Sequence, residues 1–317
     1  LKEIINNLKI FIKQDYSPVP YIITLVFLGF SIFMNYTIGL EDLYIDKHQG
    51  TVMGLPVYFL FFAVPYFAAA IPKILLSHEQ HILRNPLFWI KSLSFIAIIG
   101  VACNFGSYKT WVPDSIAMAD RAFILRNINQ LKWIIIYVPL LLIIRTTFDR
   151  NIGEGFYGIN RQSFKYKPYL ILLLMVLPLA AGASFLPDFL KAYPRFKPWA
   201  IQEAFNLDKW LMHSIFQIAY GSAYISTEIM FRGALVIGMS FIMGKHAVLP
   251  MVAVYTFYHF GKPAAEAISS IAGGYILGII AYKYRNIWGG IVLHLGLAYM
   301  MEAAALAQHY LNTGKTN

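Results

Sequence analysis

Charge is scarce in this chain. Asp, Glu, Lys and Arg together make up 13% of its 317 residues, about half of what soluble domains carry. A deficit of that size over so long a chain excludes a soluble globular protein. Disorder is excluded too, since it needs low hydrophobicity and 58% of the residues are hydrophobic. Cysteine is nearly absent. Cys103 stands alone, which rules out an intramolecular disulfide and a thiolate metal cluster. Nucleotide-binding loops and dinucleotide fingerprints are missing, and so is His-Glu-x-x-His. The stretch His78-Glu79-Gln80-His81 has the wrong spacing for that zinc motif and lies in a polar loop.

What the sequence has in quantity is long apolar runs, and its mean hydropathy is +0.56. A hydrocarbon core ~30 Å thick needs about 20 apolar residues per helical crossing. On that criterion spans fall near 19–40, 52–72, 87–105, 131–148, 168–187, 209–243, 246–260, 266–283 and 287–309. The chain therefore reads as an all-α polytopic membrane protein with about eight to nine transmembrane helices. Segment 209–243 would run ~51 Å as one straight helix, so it is expected to be tilted, broken or to project past the membrane. Segment 246–260 is short for a crossing. It is expected to end inside the protein, where irregular backbone is tolerated beside a cavity. Residues 1–17 are short, basic and partly amphipathic, which predicts an interfacial helix and not a cleaved signal peptide.

The net charge of +10 would suit a nucleic-acid binder. The basic residues, however, lie in short loops between apolar runs, as anionic headgroups and the positive-inside rule require. Membrane lipids are the expected partners of this charge, and nucleic acid is not. Lys2, Lys9 and Lys13 precede the first span; Arg145, Arg150, Arg161, Lys165 and Lys167 cluster between the fourth and fifth; Lys283 and Arg285 follow the eighth. A cytoplasmic N-terminus in a bacterial inner membrane puts all three groups on one side, provided 209–243 makes a single crossing. Lys191, Arg195, Lys197 and Lys209 in the 188–209 loop run against this bias. Within the spans, ionisable residues are few up to about residue 190; Lys91 is one, and it can snorkel. After residue 209 come Glu228, Arg232, His259, His294 and Glu302. The expectation is one integrated membrane domain, with lipid-facing helices over 1–208 and a polar-cored bundle over 209–309.

An ionisable side chain in a span costs about 2.5–3.5 kcal/mol even on a lenient insertion scale, so each marks a functional candidate. Glu228 and Arg232 stand i,i+4 with the acid N-terminal to the base, the favourable direction for a helical pair. They can form a structural ion pair that makes both tolerable in lipid. Alternatively, Arg232 keeps the Glu228 carboxylate ionised and ready to act as a general base. His259 ends a short apolar helix, with a glycine turn after it and Pro263 and Glu266 opening the next helix. Gly290 sits one turn before His294 and, like the Gly274-xxx-Gly278 face, allows close helix approach. Each histidine alone reads as a core residue satisfied by a hydrogen bond. Together, one carboxylate, one arginine and two histidines on three successive apolar segments can polarise a water, hold it against a carbonyl and stabilise the oxyanion. The same set could make a two-histidine, one-carboxylate zinc site. Arg232 beside the carboxylate competes with a divalent cation, so zinc is disfavoured and no cofactor is expected.

The pattern resembles the CPBP family of membrane proteins, which includes the type II CAAX prenyl proteases and bacteriocin-processing or self-immunity proteins. The family's first motif, Glu-Glu-x-x-x-Arg usually followed by Gly, is matched by Thr227-Glu228-x-x-x-Arg232-Gly233. Its second, Phe-x-x-x-His, is matched by Tyr255-x-x-x-His259. Its third, His-x-x-x-Asn or a related residue, reads His294-x-x-x-Ala298. Some members also carry a His-Phe-Gly-Lys-Pro-x-x-Glu stretch like His259 to Glu266. The resemblance covers about residues 209–309.

The resemblance implies an intramembrane peptidase that hydrolyses a peptide bond near the membrane surface. Glu228 would be the base, Arg232 would orient it, and His259 and His294 would hold water and oxyanion. The partner would be a peptide or membrane-protein substrate. Two departures bear on this. The first Glu, the expected base of the prenyl proteases, is Thr227, and the oxyanion-site Asn is Ala298. They leave open a second expectation, a catalytically silent relative acting as scaffold or maturation partner of another membrane protein. There is no Gly-x-Ser-Gly or Gly-x-Gly-Asp for a serine or aspartyl intramembrane protease, and no internal repeat of the transporter type.

Overall fold

The computed structural model describes residues 1–150, 153, 155–160 and 164–313; Arg161 of the basic cluster lies outside them. Apolar runs of this length become helices because, in hydrocarbon, each backbone polar group must be paired within its own segment. The chain opens with α1 (Lys2–Asp15), α2 (Pro18–Ile38), α3 (Gly54–Leu76), α4 (His81–Arg84), α5 (Pro86–Asn104) and α6 (Met118–Thr147). It continues with α7 (Lys167–Ala183), α8 (Pro187–Ala192), α9 (Lys209–Glu228), α10 (Met239–Met243), α11 (Val248–Phe257), α12 (Ala264–Tyr284) and α13 (Trp288–Thr313). Seven segments among the described residues are long and apolar enough to cross a membrane, with Lys209–Phe257 counted as one. The architecture is therefore an all-α polytopic membrane fold, with fewer full crossings than apolar runs. The run at 168–187 yields the 17-residue α7, and the run at 246–260 yields the ten-residue α11.

The long run at 209–243 stays helical but changes its winding. α9 stops at Glu228, Ile229–Gly238 winds as a π-helix, and α10 adds five residues. Gly244, at φ 57°, then leads into a tight turn before α11. A π segment shifts the facing of the side chains that follow it and often marks a functional site. α11 is buried along its whole length and packs against both α3 and α12. Gly274 and Gly278 permit that approach. A Cβ at Gly278 would lie 2.6 Å from Met251 Cε, and one at Gly274 would lie 3.0 Å from the Tyr255 ring. Between helices in lipid, such close van der Waals packing replaces the hydrophobic driving force.

The two ends of the bundle are distinct. At one end Tyr284 OH donates to Glu3 (3.3 Å) and accepts from Asn7 (2.9 Å), and Asn160 Nδ2 donates to the Arg285 carbonyl (2.9 Å). The N-terminus, the segment after α6 and the Lys283–Arg285 turn thus share one end. α1 is amphipathic there, with Phe11 buried against Tyr275 and Tyr282 while Lys2, Lys9 and Lys13 stay exposed. At the other end Asn35 Nδ2 and Tyr36 OH both donate to the Phe260 carbonyl at 3.2 Å, which ties the end of α2 to the His259 turn.

Lys91 does not snorkel. Its side chain is 1% exposed, and Nζ donates to Asp149 Oδ1 at 2.7 Å and to the Gly238 carbonyl at 2.6 Å. Lys73 is likewise buried, 3.0 Å from Asp15 Oδ2. The partners come from the residues after α6 and from the end of α1, so no pattern within the spans reveals them. A buried charge is tolerated when it is paired and hydrogen-bonded in this way.

Candidate active site

The Asp208 carboxylate caps α9, accepting from Trp210 N at 2.8 Å and Leu211 N at 3.3 Å. From that cap the helix runs to Glu228, where the π-helix begins. Glu228 and Arg232 are both 0% exposed, with Arg232 Nη1 3.2 Å from Glu228 Oε1. The contact is one of charge, since no guanidinium nitrogen is aligned for a hydrogen bond. The guanidinium instead stacks 4.1 Å from the centre of the Tyr255 ring, a cation–π contact that stabilises a desolvated cation.

His294 is carried by α13, and its Nδ1 lies 3.0 Å from the same Oε1. A carboxylate accepts, so Nδ1 donates, and the neutral ring keeps its lone pair on Nε2. Nε2 faces Tyr255 OH at 3.3 Å. Gly290 makes this meeting possible, because a Cβ there would strike Glu228 Oε2. The same logic applies to His259. Its Nδ1 donates to the Tyr255 carbonyl at 2.8 Å, which leaves Nε2 as an acceptor. The two imidazoles flank the Tyr255 ring, with centroids 4.4 and 6.2 Å from it.

His259 and His294 line one cavity of about 380 Å³, together with Thr227, Tyr224 and Tyr258. Glu228 is not among its lining residues and lies behind His294. Thr227, one position earlier, faces the cavity, because successive helical residues point about 100° apart. The four expected residues are thus brought together in two layers, the histidines at the cavity and the ion pair behind them. Ala298 is not among the residues that line the cavity; it is 3% exposed in an apolar cluster with Phe196, Phe216 and Tyr220.

The cavity also draws on residues with no motif around them. Glu41 and Asp46 come from the segment after α2, Lys132 from α6, Arg195 from the loop before α9 and Lys262 from the His259 turn. Burial, and then the Asp46 and Asp42 charges, push the Glu41 carboxyl up to about 8. Burial pulls the Lys262 ammonium down, opposed by the Glu266 carboxylate at 3.7 Å. Glu266 also accepts from Tyr193 OH at 3.0 Å, so it is more than a first-turn acid. Neither Lys132 nor Glu41 stands in a sequence motif. Among the described residues no three His, Cys, Asp or Glu side chains are grouped to hold a metal ion.

No curated protein and no solved structure matches the chain. The family model described as type II CAAX prenyl endopeptidase Rce1-like matches residues 208–300. That stretch starts at the α9 cap and contains Thr227, Glu228, Arg232, His259, His294 and Ala298. It coincides with the elements that build the two-layered site, and the helices before residue 208 fall outside it. Residues 208–300 are thus similar to the Rce1-like type II CAAX prenyl endopeptidases, and this similarity covers less than a third of the chain.

Proposed function

We propose that this protein is a CPBP-type intramembrane peptidase in which a histidine–carboxylate pair activates water. The observation that carries the reading is the 3.0 Å contact between Glu228 Oε1 and His294 Nδ1, with His294 on the cavity wall. The buried carboxylate fixes the tautomer whose Nε2 can take a proton, and it stabilises the imidazolium that results. A water that takes the place of the Tyr255 hydroxyl at Nε2 gives one proton to His294 as it attacks the peptide carbonyl. His259 Nε2 accepts the other proton in a hydrogen bond and so aligns that water. His294 then returns its proton to the departing amine. Tyr224, Tyr258 and Lys262 on the wall are the donors available to the tetrahedral oxyanion, a role Ala298 cannot fill. Arg232, 3.2 Å from Glu228 Oε1, supplies the opposite charge that a buried carboxylate needs. Glu228 therefore acts through His294 instead of touching water itself. We assign no resident metal, because the Arg232 charge opposes a cation at Glu228.

The lysine and arginine bias supports a cytoplasmic N-terminal end, and we read the membrane as a bacterial inner membrane. The His259 end then opens on the opposite face, toward a peptide or membrane-protein substrate there. The test is complementation of a null strain with His294→Ala and with Glu228→Gln, each checked for folding by thermal melts. Both are expected to fail. Full restoration by folded His294→Ala overturns the peptidase reading.

Two observations favour a second reading. The cavity presents Thr227 where the prenyl proteases have their glutamate, and Ala298 sits in an apolar cluster. On that reading the cavity holds a segment of a membrane-protein partner without cutting it. Loss of a whole complex, with no termini changed, would distinguish it.

A further inference from the structure

A second cavity of about 390 Å³ adjoins the first, with Asn129, Gln130 and Arg195 lining both. Its charge has one sign. Arg126, Lys191, Arg195 and Lys197 line it, and no Asp or Glu does. The acids nearby are engaged. Glu302 accepts from the Arg195 backbone N–H and from Gln217, both at 2.8 Å, and Asp120 accepts from Phe205 N at 2.6 Å. Asp188 stands 3.4 Å from Lys191 in an exposed pair. Lys197 Nζ donates to the Leu190 and Lys191 carbonyls at 3.2 and 3.3 Å. That fixes its ammonium and leaves one of three N–H donors unspent. Among the described residues no hydrogen bond or ion pair engages the Arg126 or Arg195 guanidinium. A concavity of ligand size whose charged lining residues are all cations repels itself and is stabilised by an anion.

The surroundings indicate where that anion comes from. Trp210 and Tyr310, 49% and 47% exposed, pack together with ring centroids 6.0 Å apart. Exposed aromatic pairs of this kind mark the headgroup level of a membrane. Along α9 from Trp210, Leu211 and Ile218 are exposed, as a lipid-facing surface requires. Phe216 and Ile201 give the cavity itself an apolar wall.

We propose that this cavity binds the phosphate of an anionic phospholipid headgroup. Arg126 and Arg195 supply planar, fork-like donors suited to phosphate, and Lys191 and Lys197 act as point charges. Arg195 also lines the His259–His294 cavity, so the bound lipid would sit beside whatever segment enters there. The proposal does not depend on hydrolysis.

The test uses the purified full chain in detergent, titrated with short-chain phosphatidylglycerol, short-chain phosphatidylcholine or inorganic phosphate, with thermal stability as readout. Phosphatidylglycerol is expected to raise stability at concentrations where the other two do not. Each basic residue near an anionic surface strengthens attraction by roughly fivefold. Arg126→Gln with Arg195→Gln should therefore weaken the phosphatidylglycerol response by roughly 25-fold. Arg126→Lys with Arg195→Lys keeps the charge and should retain most of the response, which separates loss of binding from loss of fold. Equal responses to the two lipids, or a phosphatidylglycerol response unchanged in the glutamine variant, overturn the proposal. An equal response to inorganic phosphate alone overturns the lipid as occupant.

Discussion

Replacing Glu228 with glutamine removes one charge of a pair that has no access to solvent. Glu228 and Arg232 are both 0% exposed and 3.2 Å apart, so no water can take over the lost contact. Arg232 would keep its Tyr255 stack at 4.1 Å, but that contact offsets only part of the loss. Breaking a buried pair by removing one partner costs about 3–5 kcal/mol, because it strands the other charge. The amide introduced by Glu228→Gln can still accept from His294 Nδ1, so the penalty falls on Arg232 and not on the histidine. Glu228→Gln combined with Arg232→Met removes both charges and should regain most of the stability, so the double variant should lose less than either single variant and the double-mutant cycle should show a coupling larger than either single loss. The assay is denaturant unfolding of the purified protein in detergent for wild type, both single variants and the double variant. Activity should stay low in the double variant even as stability returns, because an amide cannot stabilise the His294 imidazolium. An unfolding midpoint for Glu228→Gln equal to wild type, or strictly additive single and double effects, would refute the buried-pair reasoning.

Three further outcomes follow from the same geometry. Gly290→Ala should turn the Glu228 carboxylate away from His294, at an overpacking cost of about 1–3 kcal/mol; thermal melts and turnover measured together check it, and wild-type turnover would contradict it. The Glu41 carboxyl is raised from 4.5 to about 8, so its protonated form is favoured in the folded protein. Its contribution to stability is complete below about pH 4.5 and is lost as pH rises through about 8; melts across that range should show this slope in wild type and not in Glu41→Gln. Thr227→Glu should leave turnover little changed if His294 already takes the proton. A peptidase activity seen only in that variant would move the wild-type protein to the scaffold reading.

Much of the fold is legible in the sequence because its signals are local. Apolar runs set most helices to within a few residues, although α6 starts at Met118, well before the apolar run at 131–148, and the excess length of 209–243 announces the change of winding that the π-helix after Glu228 makes. The pairing of Glu228 with Arg232 follows from i,i+4 spacing, and the approach of His294 follows from Gly290 one turn earlier. What spacing does not reveal is facing and long-range partnership. Which of Thr227 and Glu228 meets the cavity depends on the rotation of α9 against α13. The salt bridges of Lys91 with Asp149 and of Lys73 with Asp15 join residues 58 positions apart in each case. Glu41, Lys132 and Arg195 reach the cavity only because the helices before residue 208 close over the bundle after it. Such contacts leave no periodic trace.

The central claim is that His294, held by Glu228, takes a proton from water during cleavage of a peptide bond. It is tested most directly by comparing protein termini in membranes from cells that carry wild type or His294→Ala at equal abundance and with equal thermal stability. The account predicts at least one terminus, internal to a membrane-protein precursor, that is present with wild type and lost with His294→Ala. Identical sets of termini in the two membranes would contradict it.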